Sequence, residues 1–506
     1  MQEKTYLGVE LGSTRIKAVC IDGTYRPVAS GGYTWKSRLE NGVWTYDLDE
    51  AWRGLRAAIA EIPDREQICA VGISGMMHGY LAFDSQWRLL TPFRTWQNTI
   101  TAQASELLSE KFGFNVPQRW SIAHLYQAIL NGEPHVPQIA HITTLAGYIH
   151  YMLTGVNAIG IDEASGMFPI DSARMDYDET MLAQFDELIR ELPFTARDVL
   201  PKVLCAGADA GCLSAAGAQL LDGLLPAGLP FAPPEGDAGT GMVATNAVAP
   251  RTGNVSAGTS IFAMMVLEKP LTRVYPEIDM VCTPSGAPVA MVHANNCTAD
   301  MNAWAGLLRE SAQLFGAEVS EGELYTRLYQ AALTGEADCG GLTVFNYLAG
   351  EGVTHLDEGR PMVLRRADSR LTLANFFRAQ LYAALATVRL GMDLLHEEQV
   401  ELDVLMGHGG LFKTPVVGQR LAAAAFGAPV SCMQTAGEGG PYGMALLAAY
   451  RMENTQPLAD FLSSRVFADT KIDTIQPDAA DAAGFAAYLR RFAAALPVER
   501  AAIACI

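Results

Sequence analysis

The chain has 506 residues, half of them hydrophobic, which is enough for about two to four domains and a sizeable core and excludes disorder as the main state. Acidic residues outnumber basic ones 55 to 36, giving a formal charge of -19 and a pI near 4.9, so the overall field opposes binding to nucleic acid or an anionic membrane surface. The nine cysteines contain no CxxC pair and no run approaches ~18 apolar residues, so the expectation is a cytoplasmic protein with reduced thiols and no membrane span.

In chain order, TYLGVELGSTRIKAVCIDG alternates apolar residues on either side of Gly12, Ser13 and Thr14, which predicts a β-hairpin with a glycine-hydroxyl turn. Asp49 is the expected N-cap of a helix whose Trp52, Leu55, Ala58, Ile59 and Ile62 share one face, and ICAVGISG follows as a strand. The Gly, Ala and Pro-rich stretch 206–234 reads as the connection between halves. Next, RTGNVSAGTSIFAMMVLE repeats the hairpin plan around Gly258, Thr259 and Ser260, so that both halves open alike and a duplicated α/β domain is expected. LANFFRAQLYAALATVRLGMDLL predicts a long core helix, LDVLMG a buried strand ending at Gly407, and the Ala-rich tail after Gln456 more helix.

Five glycine-rich turns stand out: those at Gly12 and Gly258, GDAG at Gly236, GHGG at Gly407 and GEGGPYG at Gly437. Glycines let backbone N–H groups approach an anion and hydroxyls add donors, so the set points to a polyphosphate cradle. A P-loop is excluded, because Phe412 stands where that motif needs glycine and Pro415 follows. GISG is one residue short of a nucleophile elbow, no GxGxxG opens the first helix, and the histidines lack metal-site spacing. Two carboxylates are candidates for chemistry. Asp237, flanked by glycines after Pro-Pro, suits a general base that accepts a hydroxyl proton during phosphoryl transfer, or else an Asx turn. Glu10 lies on a strand predicted to be buried, where a carboxylate is costly unless satisfied; it could bind Mg²⁺ directly or through water.

In this order, GVELGSTRIKAV, GISGMMHG, TLAGYIHYMLTG with IDEASGMFPID, GDAGTG, GNVSAGTS, GHGG and GEGGPYGMALLAA resemble the FGGY family of carbohydrate kinases. The resemblance implies an α/β fold of two actin-like (ribonuclease H-like) domains, mixed sheets flanked by helices, with a cleft between them. It divides the chain into a sugar-binding domain, 1–244, and an ATP-binding domain, 245–506. It also implies ATP and Mg²⁺ as cofactors and a small-molecule sugar as the other substrate, and it leaves a homodimer open. Asp237 is then the general base and Glu10 the Mg²⁺-side carboxylate. Gly12, Ser13 and Thr14 form the first phosphate loop, with Thr14 toward the γ-phosphate; Gly258, Thr259 and Ser260 cradle phosphates; Gly409, Gly410 and Gly437 line the nucleotide. Met77, His78, Trp96 and Asp237 face the sugar. MMHG is most similar to the xylulokinase-like members, so the expected reaction is phosphorylation of a pentulose such as xylulose at its terminal hydroxyl. Three departures bear on this: Glu10 replaces the usual Asp, Ala238 the usual Asn, and Asn98 and Ile100 an Asp and an Arg. The alternatives are another FGGY substrate (ribulose, another ketose, a polyol or a sugar acid) and a non-catalytic sensor of the same fold.

Overall fold

A computed structural model describes residues 4–433 and 439–505. Gly437 therefore lies outside the described residues. The chain forms two compact units, one of residues 1–249, 280–289 and 438–469 and one of residues 250–279, 290–437 and 470–506.

The first unit is built on a sheet of β1 (Thr5–Leu11), β2 (Arg15–Ile21), β3 (Pro27–Thr34), β4 (Ile68–Gly75) and β5 (Glu235–Gly236), in the order β5-β4-β1-β2-β3. β1 and β2 are the expected hairpin, antiparallel from Tyr6↔Ile21 to Leu11↔Ile16. β4 runs parallel to β1 and β5 parallel to β4. Their register sets Lys17, Glu10, Ser74 and Glu235 in one row across the sheet, and Ile16, Leu11, Gly75 and Gly236 in the next. Asp237 follows directly as the first residue of the helix Asp237–Ala244. The C-terminal ends of three parallel strands thus deliver Glu10 and Asp237, the edge where open α/β sheets present their ligands.

Two helices cover this sheet closely. Leu48–Ala60 buries Trp52, Leu55, Ala58 and Ile59 of the predicted face together with Ala51, at about 1.5–3 kcal/mol for each large apolar side chain, while Ile62 is buried just beyond the helix end. Its cap is Asp47 and not the expected Asp49: Asp47 is extended and its carboxylate accepts the N–H groups of Asp49 and Glu50. Gly440–Glu453 lies on β1 so tightly that a Cβ on Gly8 would fall 2.1 Å from the Pro441 carbonyl oxygen. The stretch 206–234 is not a connection between halves. It belongs to the first unit, contains the helix Ala215–Leu220, and pairs with β4 through the Val71↔Phe231 bridge.

The second sheet contains β6 (Thr252–Ala257), β7 (Ile261–Val266), β8 (Asp279–Cys282), β9 (Pro288–Ala294), β10 (Val404–His408), β11 (Val430–Cys432) and β12 (Asp473–Ile475), ordered β8-β9-β7-β6-β10-β11-β12. The run β9-β7-β6-β10-β11 repeats the plan β3-β2-β1-β4-β5: an antiparallel hairpin whose first strand takes a parallel neighbour. The duplication legible in the two Gly-hydroxyl turns is therefore present in the topology, and the fold is the two-domain, ribonuclease H-like α/β class. Leu373–Glu397 is the long core helix and Ala479–Cys505 the tail helix. All nine cysteines are free, and no helix among the described residues is long and apolar enough to cross a membrane.

Candidate active site

Asp237 and Glu10 are the two candidate carboxylates of the first unit, and both have raised carboxyls. Asp237 is solvent-exposed, yet dense protein around it pushes its carboxyl up to about 6; the N–H of Met77, donating to Oδ1 at 3.1 Å, and the amides of Asp237 and Ala238 oppose that push. It is not in a turn: GDAGTG enters the helix at once, and the carboxylate leaves from the first helical position, beside helix-start amides that favour negative charge. Glu10 is half-buried on β1. Burial first, and then the Asp237 charge, raise its carboxyl to about 8, against a smaller lowering by Lys17. Its Oε2 lies where a side chain on residue 440 would stand: a Cβ on Gly440 would be 1.7 Å from it and 2.9 Å from Thr240 Oγ1. Glycine at the head of that helix makes room for the carboxylate.

The first Gly-hydroxyl turn has its carbonyls tied inward. Gly12 O accepts from Trp35 Nε1 at 2.7 Å, Ser13 O from Tyr46 OH at 2.7 Å and Thr14 O from the Trp35 N–H at 3.2 Å. Gly12 spends its own N–H on Arg15 O at 3.0 Å, closing the turn. What remains outward is the half-buried Ser13 and the exposed Thr14. The second unit's turn is built alike. Gly258 N–H donates to Ser260 O at 2.9 Å, Gly258 O accepts from Thr298 Oγ1 at 2.8 Å, Thr259 O accepts from the Cys297 N–H at 2.9 Å, and Thr259 is exposed. Gly409, with φ 96°, and Gly410 are exposed at the end of β10; a Cβ on Gly409 would meet Ala257 O at 2.4 Å, so this loop lies against the strand that feeds the second turn. In both turns the backbone acceptors are taken up, and among the described residues no hydrogen bond ties up the hydroxyls, which suits an anionic ligand.

The residues expected to face the sugar differ in exposure. Met77 and His78 are buried, and His78 holds a positive φ of 72° with Nδ1 3.1 Å from Gly166 O. It is the Met77 backbone, not the thioether, that reaches Asp237. Trp96 is 39% exposed in a loop anchored by the paired amides of Tyr80 and Arg94. Asn98 is buried and spends its amide on Trp44, accepting the Trp44 N–H and donating to Trp44 O, both at 2.8 Å, so it holds the loop together. Four residues adjoining the site escaped the sequence reading: Gly440, Thr240, and the buried Asp162 and Glu235. An Asp-Glu pair inside the apolar run around Ile161, and a Glu directly before Gly236, were the available signals.

Among the described residues no group of three or more His, Cys, Asp or Glu side chains could cage a metal ion. Glu10, a hard oxygen donor beside the Asp237 charge, fits instead a cation that keeps waters and phosphate oxygens as its other ligands, the habit of Mg²⁺.

The duplicated ribonuclease H-like fold, with its two Gly-hydroxyl turns, is of the actin-like class. The FGGY family of carbohydrate kinases matches over both of its domains, the N-terminal at residues 5–243 and the C-terminal at 253–452. The chain belongs to that family and is an ATP-dependent sugar kinase. It is 23% identical to a xylulose kinase of Haemophilus influenzae over 86% of this chain and 91% of that protein. Among solved structures it is similar to a xylulose kinase ("xyloylose kinase") from Brucella ovis, with a TM-score of 0.81, 21% identity and coverage of 98% and 99% of the two chains. It is equally similar to a gluconate kinase from Lactobacillus acidophilus, with a TM-score of 0.81, 18% identity and coverage of 98% of both.

Proposed function

We propose that this protein transfers the γ-phosphate of ATP to the terminal hydroxyl of a ketose, a pentulose such as xylulose, with Asp237 as general base. The observation that carries this reading is an exposed carboxylate raised to about 6 and oriented by the Met77 amide, in reach of solvent and hence of a substrate hydroxyl. Asp237 accepts the hydroxyl proton as the oxygen attacks phosphorus, a contribution of about 10²–10⁴-fold. Thr14, Ser13, Thr259 and Ser260 supply hydroxyl donors to phosphate oxygens, and the exposed Gly409 and Gly410 let the nucleotide approach the backbone. Glu10 would hold Mg²⁺, directly or through water; bound there, the ion would neutralise phosphate charge. Residues 1–244 are the sugar-binding domain of this reading, which also carries the first phosphate loop, and 245–506 the ATP-binding domain. The pentulose assignment is supported by MMHG and by similarity to xylulose kinases.

The test is ADP release across xylulose, ribulose, other ketoses, polyols and sugar acids including gluconate, with Asp237→Asn alongside. Turnover highest on a ketopentose, and lost by about 10²-fold or more in Asp237→Asn, is expected. A preference for gluconate or a polyol overturns the substrate. Absence of ADP release with every sugar, although ATP binds, identifies a sensor.

A further inference from the structure

The helix that carries Asp237 lacks a cap of its own. Its N-cap residue is Gly236, which has no side chain to accept the N–H groups that a helix start leaves unpaired. Nor could a larger residue stand there, because a Cβ on Gly236 would come within 2.5 Å of Glu163 Oε2. The missing acceptor comes from elsewhere in the chain. Asp162, on the short helix Ile161–Ser165, places Oδ2 3.0 Å from the Gly236 nitrogen and 3.2 Å from the Gly239 nitrogen, and accepts both N–H groups. Gly239 is the third helical residue, whose N–H an N-cap side chain ordinarily takes. The two bonds bracket Asp237 on either side, while Met77 holds its carboxylate.

The arrangement is costly. Asp162, Glu163 and Glu235 are all fully buried, and Asp162 Oδ1 and Glu235 Oε1 have no hydrogen-bond partner among the described residues. Burial first, and then the charges of neighbouring carboxylates, Asp237 among them, push all three carboxyls up. Apolar side chains of similar volume would serve stability as well or better at such positions. A buried acid kept beside a reacting group is better explained by what it does for that group.

We propose that Asp162 is a positioning residue for Asp237: it caps the Asp237 helix from outside and thereby fixes the direction in which the Asp237 carboxylate leaves the backbone. This rests on the reading of Asp237 as the base. Asp162 meets no substrate itself, and its role is geometric, carried by one oxygen that accepts two N–H groups. Asp162→Asn retains such an oxygen; Asp162→Leu does not.

The experiment measures kcat and KM for ATP and sugar in Asp162→Asn, Asp162→Leu and Asp237→Asn, with folding checked by circular dichroism. A misplacement of about 1 Å costs about 10²-fold. The folded Leu variant is expected to lose about that in kcat with both KM values within about three-fold, and Asn to restore kcat to within about five-fold of wild type. A folded Leu variant with wild-type kcat, or an Asn variant as impaired as Leu, overturns the proposal. Should the Leu variant not fold, Gly239→Ala decides, since its Cβ would intrude to 2.3 Å of Asp162 Cγ and dislodge the cap without removing it. The same kcat loss supports the proposal and wild-type kcat overturns it. If Asp237→Asn itself keeps full turnover, the base reading and this proposal fall together; if Asp237→Asn is inactive while Asp162→Leu is not, only the positioning role fails.

Discussion

Gly440→Ala tests the role of Glu10 without changing its side chain. The new Cβ would lie 1.7 Å from Oε2, and ordinary contact requires about 3.5 Å, so the carboxylate must retreat by roughly 1.5–2 Å. Thr240 Oγ1, 2.9 Å from the same Cβ, narrows the room on that side. Two effects oppose each other in stability. Alanine favours the helix over glycine by at most about 1 kcal/mol, and the clash is relieved mainly by a flexible side chain, so the net change in unfolding free energy stays within about 1 kcal/mol. Function has no such offset. A displaced reactive or metal-side group costs about 10²-fold, or about 2.7 kcal/mol of transition-state stabilisation. The assay is ADP release as a function of Mg²⁺, with thermal unfolding in parallel. The variant should fold normally, lose about 10²-fold in kcat and need more Mg²⁺ for half-maximal rate. Gly306→Ala is the control: nothing lies within 4 Å of its Cβ position on the helix Ala299–Leu314, so activity should be untouched and stability unchanged or raised by up to about 1 kcal/mol. A folded Gly440→Ala enzyme with wild-type kcat and Mg²⁺ dependence refutes the role given to Glu10.

The pH dependence of kcat has a definite sign. The base works ionised, and the Asp237 carboxyl is pushed up to about 6, so kcat should climb with pH through about 6; a flat profile from about pH 5 to 7.5 contradicts the assignment. Asp47→Ala should destabilise the protein by about 1 kcal/mol in denaturant unfolding and Asp49→Ala by less, because Asp47 makes the capping bonds and Asp49 contributes mainly its charge near the helix dipole. In the second unit, Asp481 is buried between Arg378 and Arg420. Burial raises its carboxyl, but the hydrogen bonds and charges of the two arginines outweigh burial and hold it below the ordinary value. Its contribution to stability is therefore present above the unfolded-state carboxyl range near 4 and is lost as pH falls through the lower folded value. Asp481→Ala, which leaves Arg378 buried without its partner, should cost about 3–5 kcal/mol at neutral pH; a loss below about 1 kcal/mol would show that Arg378 finds another partner.

Local pattern was enough to read much of this protein. The two hairpins follow from apolar alternation broken by glycine and hydroxyl residues, because strand pairing across a tight turn is decided by a few adjacent residues. The face of Leu48–Ala60, the long helix Leu373–Glu397 and the conspicuous Asp237 were legible for the same reason. Local signals misled where two readings compete at short range: Asp47 and Asp49 are both plausible caps, and the Gly and Pro-rich 206–234 reads as a linker although Phe231 pairs with β4 inside the first unit. Only the tertiary structure decided what surrounds the two candidate carboxylates. The row that sets Glu10 beside Ser74 and Glu235 depends on strand register between distant segments. The room for Glu10 depends on a glycine near the other end of the chain, and the cap on the Asp237 helix on Asp162, 3.0 Å from the Gly236 nitrogen across a fold that no local pattern encodes. Hydrogen-bond and van der Waals partners act over a few ångströms, so the sequence by itself determined which residues could do chemistry, and packing determined which ones stand close enough to direct it.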